Sequence, residues 1–158
     1  MVDEAPKRTL GFLLNDVARR MRKRFEQRAR RLGLTRAQWQ VLANLSRNEG
    51  IQQSGLAELL DVEPITLVRI LDRLQAAGMI ERRAHPADRR AWQLFLTPQA
   101  QPVLREIRAI GATVREEALT GIPEAQRELL LDTLEAIKEN LLTLPPIDDE
   151  EVAEARHG

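Results

Sequence analysis

Cysteine is absent from the 158 residues, which excludes disulfides, thiolate catalysis and peroxide sensing through a reactive thiol. Histidine occurs only at His85 and His157, too sparse for a zinc centre built on imidazoles. Tyrosine is also missing, and three Phe with two Trp give little stacking surface of the kind that holds single-stranded nucleic acid. No apolar run approaches the length of a membrane span and no signal-peptide pattern opens the chain, so a cytoplasmic protein with no membrane partner is expected. Gly-rich phosphate loops, nucleophile elbows and clustered histidines are lacking as well, which leaves an enzymatic function without a catalytic set. No cofactor is expected.

Net charge is zero, with 24 Lys+Arg against 24 Asp+Glu, yet the two signs are segregated. Residues 1–97 hold 18 basic against 11 acidic side chains, and residues 98–158 hold 6 against 13. The first part suits an anionic partner, and the second would be repelled by it. A composition of 43% hydrophobic and 30% charged residues is ordinary for a globular chain with a real core.

Helical periodicity starts at Leu10. Leu10, Leu13, Leu14, Val17, Met21 and Phe25 recur at spacings of three and four, predicting a helix to about Leu32 that Gly33 stops. Its other faces are crowded with arginine from Arg19 to Arg31, so a protein-interaction module using this basic helix is an alternative function. Thr35 with Gln38 forms a capping-box pattern for a second helix bearing Trp39, Leu42 and Leu45. Ile51-Gln52 is too short to assign by pattern and could supply one brief strand.

Residues 53–74, QSGLAELLDVEPITLVRILDRL, are the most informative stretch. Ser54 is expected to cap a short helix to about Leu60. Asp61-Val62-Glu63 makes the turn, and Pro64 suits the first position of the next helix, where its missing N–H is not needed. Leu67, Ile70, Leu71 and Leu74 form that helix's inner stripe, leaving Thr66, Arg69 and Arg73 outward and Pro64 and Ile65 at the exposed end. This is a helix-turn-helix pattern, although helical hairpins without DNA function share it. Asp61 stands where a left-handed turn residue is needed, and Asp tolerates that geometry better than most.

Gly78 ends the helix. Met79–Arg83 and Ala91–Leu96 then read as two strands around the turn His85–Asp88, with Trp92, Leu94 and Leu96 alternating with Gln93 and Phe95. Arg82, Arg83, Arg89 and Arg90 on this hairpin are expected to project as cations from a wing. Thr97-Pro98 starts a helix to about Leu119 with a stripe of Val103, Ile107, Ile110 and Val114, its first turn distorted by Pro102. A last helix, about Glu124–Leu142, carries Leu130, Leu134, Ile137 and Leu141. The stripes of these two helices and the first one exceed what one small lobe hides, which points to a homodimer.

The segments LTRAQWQVL, PITLVRILDRL, GMIERR and DRRAWQLFLT, in that order, resemble the MarR family of bacterial regulators and its SlyA branch, over residues from about 10 to 143. The resemblance implies a mainly α fold with a small β wing. A winged helix-turn-helix lobe would span 35–97, a discontinuous helical dimerisation lobe 8–34 plus 98–144, and an acidic, disordered tail 145–158. It implies a homodimer on a pseudo-palindromic operator in double-stranded DNA, acting as a repressor relieved by a small organic effector such as an aromatic acid. By that resemblance Ser54, Pro64, Ile65, Thr66, Arg69 and Arg73 of the helix-turn-helix meet DNA together with Arg83, Asp88, Arg89 and Arg90 of the wing. Arg90 would enter the minor groove, held by an ion pair with Asp88, and Arg89 would lie near phosphates. Phe25 and Trp39 would line the effector pocket, with arginines nearby for a carboxylate.

Overall fold

The computed structural model describes residues 8–147, so most of the acidic tail lies outside the described residues. Along the chain the elements are α1 (Leu10–Ala29), α2 (Arg36–Leu45), α3 (Gln53–Leu60), α4 (Pro64–Ala76), β1 (Ile80–His85), β2 (Asp88–Leu96), α5 (Gln101–Ala118) and α6 (Glu124–Thr143). This is the mainly α, winged helix-turn-helix order that the pattern predicts.

Local chemistry sets the boundaries. α1 tightens into a 3-10 turn, Arg30–Leu32, and Gly33 closes it at φ 66°, an angle that carries no Cβ penalty for glycine. The capping box at the start of α2 is complete: Gln38 N–H donates to Thr35 Oγ1 at 3.2 Å, and Thr35 N–H donates to Gln38 Oε1 at 3.0 Å. The helix expected from Pro98 begins instead as a 3-10 turn, Pro98–Ala100, and becomes α-helical at Gln101. Pro102 therefore sits in the first α-helical turn, where a missing N–H costs little.

β1 and β2 pair antiparallel, with Ile80 opposite Leu96, Arg82 opposite Leu94 and Ala84 opposite Trp92. The Ile51-Gln52 pair forms no strand, only an isolated antiparallel bridge beside the two-stranded sheet: Gln52 bridges Gln93, and Leu94 N–H donates to Ile51 O at 3.0 Å.

The chain divides into two compact units, Met1–Ala118 and Leu119–Gly158. The first contains one continuous buried cluster. It runs from Phe25 and Ala29 through Leu42 and Leu45, Leu56, Leu67, Leu71 and Leu74, Ile80 and Leu94, to Leu104, Ile107, Ile110 and Val114. At roughly 1.5–3 kcal/mol for each large apolar side chain removed from water, this cluster is what fixes the unit. It also corrects an expectation, because the α5 stripe is covered inside its own unit and is not left over for a partner. The first half of α1 is left over: Leu10, Phe12, Leu13, Leu14 and Val17 are exposed.

In the second unit, α6 has no buried residue, and its stripe includes the exposed Leu130 and Leu141. Arg127 fastens the start of the helix to its own entry loop by donating to the carbonyls of Ile122 at 2.8 Å and Leu119 at 2.9 Å. Among the described residues, no helix is long and apolar enough to cross a membrane.

Candidate nucleic-acid interface

The turn between α3 and α4 is set by one strained residue. Asp61 adopts φ 51°, and Val62 N–H returns to Ala57 O at 3.1 Å, which swings the chain sharply into α4. Asp61 is the one non-glycine with positive φ among the described residues. Pro64 opens α4 at its first position. Leu67, Leu71 and Leu74 are buried, Ile70 is half-buried, and the opposite side of the helix carries Thr66, Arg69 and Arg73, all exposed. These three line a shallow groove of about 200 Å³ with Thr35, Ala37 and Gln38 from the start of α2. Ile65, at the free end, is 65% exposed. Among the described residues neither Arg69 nor Arg73 has a carboxylate partner.

Ser54 does not cap α3. The helix begins at Gln53, with extended Gln52 as its cap residue and the first bond running from Leu56 N–H to Gln52 O at 3.0 Å. The bridge between Gln52 and Gln93 holds Gln52 extended, so the helix starts immediately after that bridge and Ser54 falls inside the first turn. Ser54 and Pro64 border one hollow of about 560 Å³, together with the carboxylates of Glu58, Asp61 and Glu63. Sequence pattern alone did not show that acidic rim beside the recognition helix.

The wing also differs from expectation in its charges. Arg82 does not project. Its guanidinium turns back to α4, reaching Asp72 at 2.8 Å and Gln75 at 2.6 Å. Arg83 lies on the other face, paired with Glu81 and stacked 3.9 Å above the centroid of Phe95. The free cations of the wing are therefore Arg89 and Arg90. Both are exposed and have no ion-pair partner among the described residues. Asp88 makes no ion pair with Arg90. Its Oδ1 accepts the Arg90 backbone N–H at 2.9 Å, while His85 Nδ1 accepts from Ala87 N–H at 3.1 Å, and together these shape the tip. Trp92, expected on the apolar face with Leu94 and Leu96, is 45% exposed because it lies opposite Ala84, beyond the point where the hairpin leaves the core.

Four of the five arginines of α1 are ion-paired, two to each carboxylate. Arg24 and Arg28 both bind Glu117 of α5, Arg31 binds Glu106, and Arg36 pairs with Glu26. Arg20 and Arg19 donate to Asp16, and these hydrogen bonds hold its carboxyl below the usual range. Arg24, Arg28 and Arg31 brace this stretch to α5.

The rings of Phe25 and Trp39 lie 4.1 Å apart between centroids, tilted by 35°, and both residues are buried. Together with Met21, Arg22, Gly111 and Val114 they border a recess of about 170 Å³. Phe25 also lines a larger hollow of about 540 Å³, floored by Met21, Leu104 and Ile107 and rimmed by Arg47, Arg108 and Arg115. Sequence reasoning had not singled out these three arginines. The spacing of seven between Arg108 and Arg115, beside the Ile107 and Val114 stripe, was the available signal for two of them.

The MarR family model matches residues 32–91. The structure of the transcriptional regulator PA3341 superposes with a TM-score of 0.77 at 39% identity, covering 86% of this chain and 100% of that one. The transcriptional regulator SlyA matches at 25% identity and TM-score 0.71, over 85% of this chain and 94% of that one. BpsR of Bordetella bronchiseptica, whose DNA binding is regulated by 6-hydroxynicotinic acid, shares the fold at 22% identity and TM-score 0.69, over 85% and 96% of the two chains. The helix-turn-helix, the wing and these likenesses agree: the chain belongs to the MarR family and is a DNA-binding transcriptional regulator, not an enzyme.

Proposed function

We propose that the protein is a cytoplasmic, homodimeric repressor that reads a pseudo-palindromic operator in double-stranded DNA and is released by a small organic acid. The observation that carries this reading is the distribution of uncompensated cations. Arg69 and Arg73 on the outer face of α4, and Arg89 and Arg90 at the wing tip, remain exposed without carboxylate partners among the described residues, while most arginines of α1 are paired. In this reading α4 enters the major groove, with Pro64, Ile65 and Thr66 at its tip and Arg69 at base edges. Arg90 enters the adjacent minor groove, which attracts a guanidinium most where it is narrow. Arg73, Arg89 and Ser54 lie against the backbone, and Asp88 shapes the wing. Arg83 contributes least, since Glu81 already compensates it.

Residues 35–97 act as the DNA-reading lobe in this proposal, and dimerisation falls to the exposed apolar faces of residues 8–34 and, within 98–144, of α6. A second copy covers the exposed apolar side chains at the start of α1 and those along α6, since bare stripes of this size are rare on monomers. The arginine-rimmed hollow beside Phe25, with the Trp39 recess, suits an aromatic carboxylate: the floor takes the ring, and the guanidinium groups take the charge. Regulation of BpsR by 6-hydroxynicotinic acid is the corresponding behaviour in a protein of the same fold.

Fluorescence anisotropy on genomic operator and random duplexes at several salt concentrations tests this reading. Tighter operator binding is expected, with log K falling against log salt by about 0.9 for each phosphate contacted. Equal affinity for both duplexes with a flat salt dependence would overturn it.

A further inference from the structure

We propose that Arg82 is a positioning residue for DNA recognition: it fixes the angle between the wing and α4 so that both grooves are met at once. The inference rests on the proposed roles of α4 and the wing, and the observations behind it are separate ones. Strand alternation puts Arg82 on the same face as buried Ile80 and directly opposite fully buried Leu94. A charged side chain there must find partners, and Arg82 finds three on α4: the Asp72 carboxylate at 2.8 Å, Gln75 Oε1 at 2.6 Å, and Val68 O at 3.4 Å. Its side chain is only 16% exposed.

Asp72 and Gln75 are three residues apart and share one flank of α4. Arg69 and Arg73 each follow a gripped residue by one position, a rotation of about 100° around the helix axis. The strut therefore holds the recognition helix beside its reading face and leaves that face free. On β1, Arg82 is the outermost residue tied to α4, and on β2 the hairpin is held once more at Gln93, opposite Arg83, which bridges Gln52 and donates to Gly50 O at 3.1 Å. From Arg83 onwards to Arg90 the side chains are exposed apart from half-buried His85, and the next residue inward on the Arg82 face, Ile80, is core. The tip at His85–Asp88 stands about 10 Å beyond the anchor, at ~3.3 Å per strand residue. A tilt of about 10° at Arg82 thus displaces the tip by about 2 Å, more than a docked guanidinium tolerates. The planar guanidinium, with three acceptors in fixed directions, resists such a tilt in a way that an ammonium group does not.

The test measures binding of the full-length protein to operator duplexes that differ only in flanks, A·T-rich against G·C-rich, with the parent, Arg82→Lys, Arg82→Ala, Arg90→Ala and the Arg82→Lys/Arg90→Ala double variant. Arg82→Lys keeps the charge and most of the stem, so the fold is retained if Arg82→Ala fails to fold. The expected result is that Arg82→Lys loses on the order of tenfold on A·T-flanked operator, loses the flank preference, and adds little to Arg90→Ala in the double variant. Losses that are equal on both duplexes, or fully additive with Arg90→Ala, would make Arg82 an ordinary stabilising residue and overturn the proposal. A parent that binds DNA with no flank preference instead overturns the wing's proposed role, and the strut with it. A preserved preference in Arg82→Lys sinks the strut alone.

Discussion

Asp88 Oδ1 accepts the backbone N–H of Arg90 at 2.9 Å, while the Arg90 guanidinium itself is held by no carboxylate among the described residues. This i to i+2 bond is the local turn that aspartate and asparagine favour. It makes the carboxylate a shaping group and leaves the cation at full strength. Asp88→Asn keeps an acceptor oxygen and removes a negative charge from the DNA-facing tip, so it is expected to bind operator as tightly as the parent or tighter at low salt. Asp88→Ala, which loses the acceptor, is expected to bind more weakly. Affinities at one fixed salt concentration check this. Equal losses in the two variants would mean that the charge matters, through an ion pair formed only on DNA.

Arg69 should behave as a reader. Its helix is anchored through Leu67, Leu71 and Leu74, so truncating Arg69 leaves the scaffold unchanged. Arg69→Ala is expected to lose about 1–3 kcal/mol on the operator and to relax sequence preference at one position of each half-site. Selection of binding sites from a random duplex pool with both proteins gives the comparison. An unchanged selected sequence would reduce Arg69 to a surface charge.

Much of this architecture was legible because its signals are local. The Thr35–Gln38 box, Pro64 at the start of α4 and Gly33 after α1 each act within one helical turn, and each stands as the sequence implied. The apolar stripe of α4 likewise gave its inner and outer faces. What failed was long-range. Ser54 lost its cap position to Gln52 because a residue 41 positions away in the chain, Gln93, bridges Gln52 and fixes it extended. The α5 stripe looked spare because its partners, among them Phe25 and Ala29, come from the far end of the unit. Arg82 was readable in principle. Period two put it on the face of Ile80, yet a hairpin with four arginines invited counting them together rather than by face.

The apolar residues of α6 give a direct test of the dimer. Leu130 is 45% exposed and takes no part in the core of the first unit, so Leu130→Glu costs that core nothing. The parent is expected to scatter light as twice the 18.0 kDa chain mass at micromolar concentration, and Leu130→Glu to shift toward one chain mass. A parent of single-chain mass would end the dimer proposal.

Glu63 is the least expected group at the proposed interface. It is exposed, stands in extended conformation immediately before α4, and its side chain makes no cap bond. Glu58 and Asp61 flank the same hollow, so three carboxylates face the approach to the recognition helix. Two forces act on Glu63 in opposite directions. The positive end of the α4 dipole favours a carboxylate here by about 0.3–1 kcal/mol, which stabilises the free protein. DNA phosphates repel it, which weakens every complex regardless of sequence. Glu63→Gln is therefore expected to lower the melting temperature slightly while tightening binding to operator and random duplexes alike, with the gain fading as salt rises. A carboxylate can instead accept from a cytosine amino group in the major groove. In that case Glu63→Gln loses affinity on the operator and not on random duplex, and the loss persists at high salt. Parallel salt titrations of the two proteins on both duplexes separate these outcomes, and operator-specific loss would move Glu63 from a tolerated repulsion to a reader of sequence.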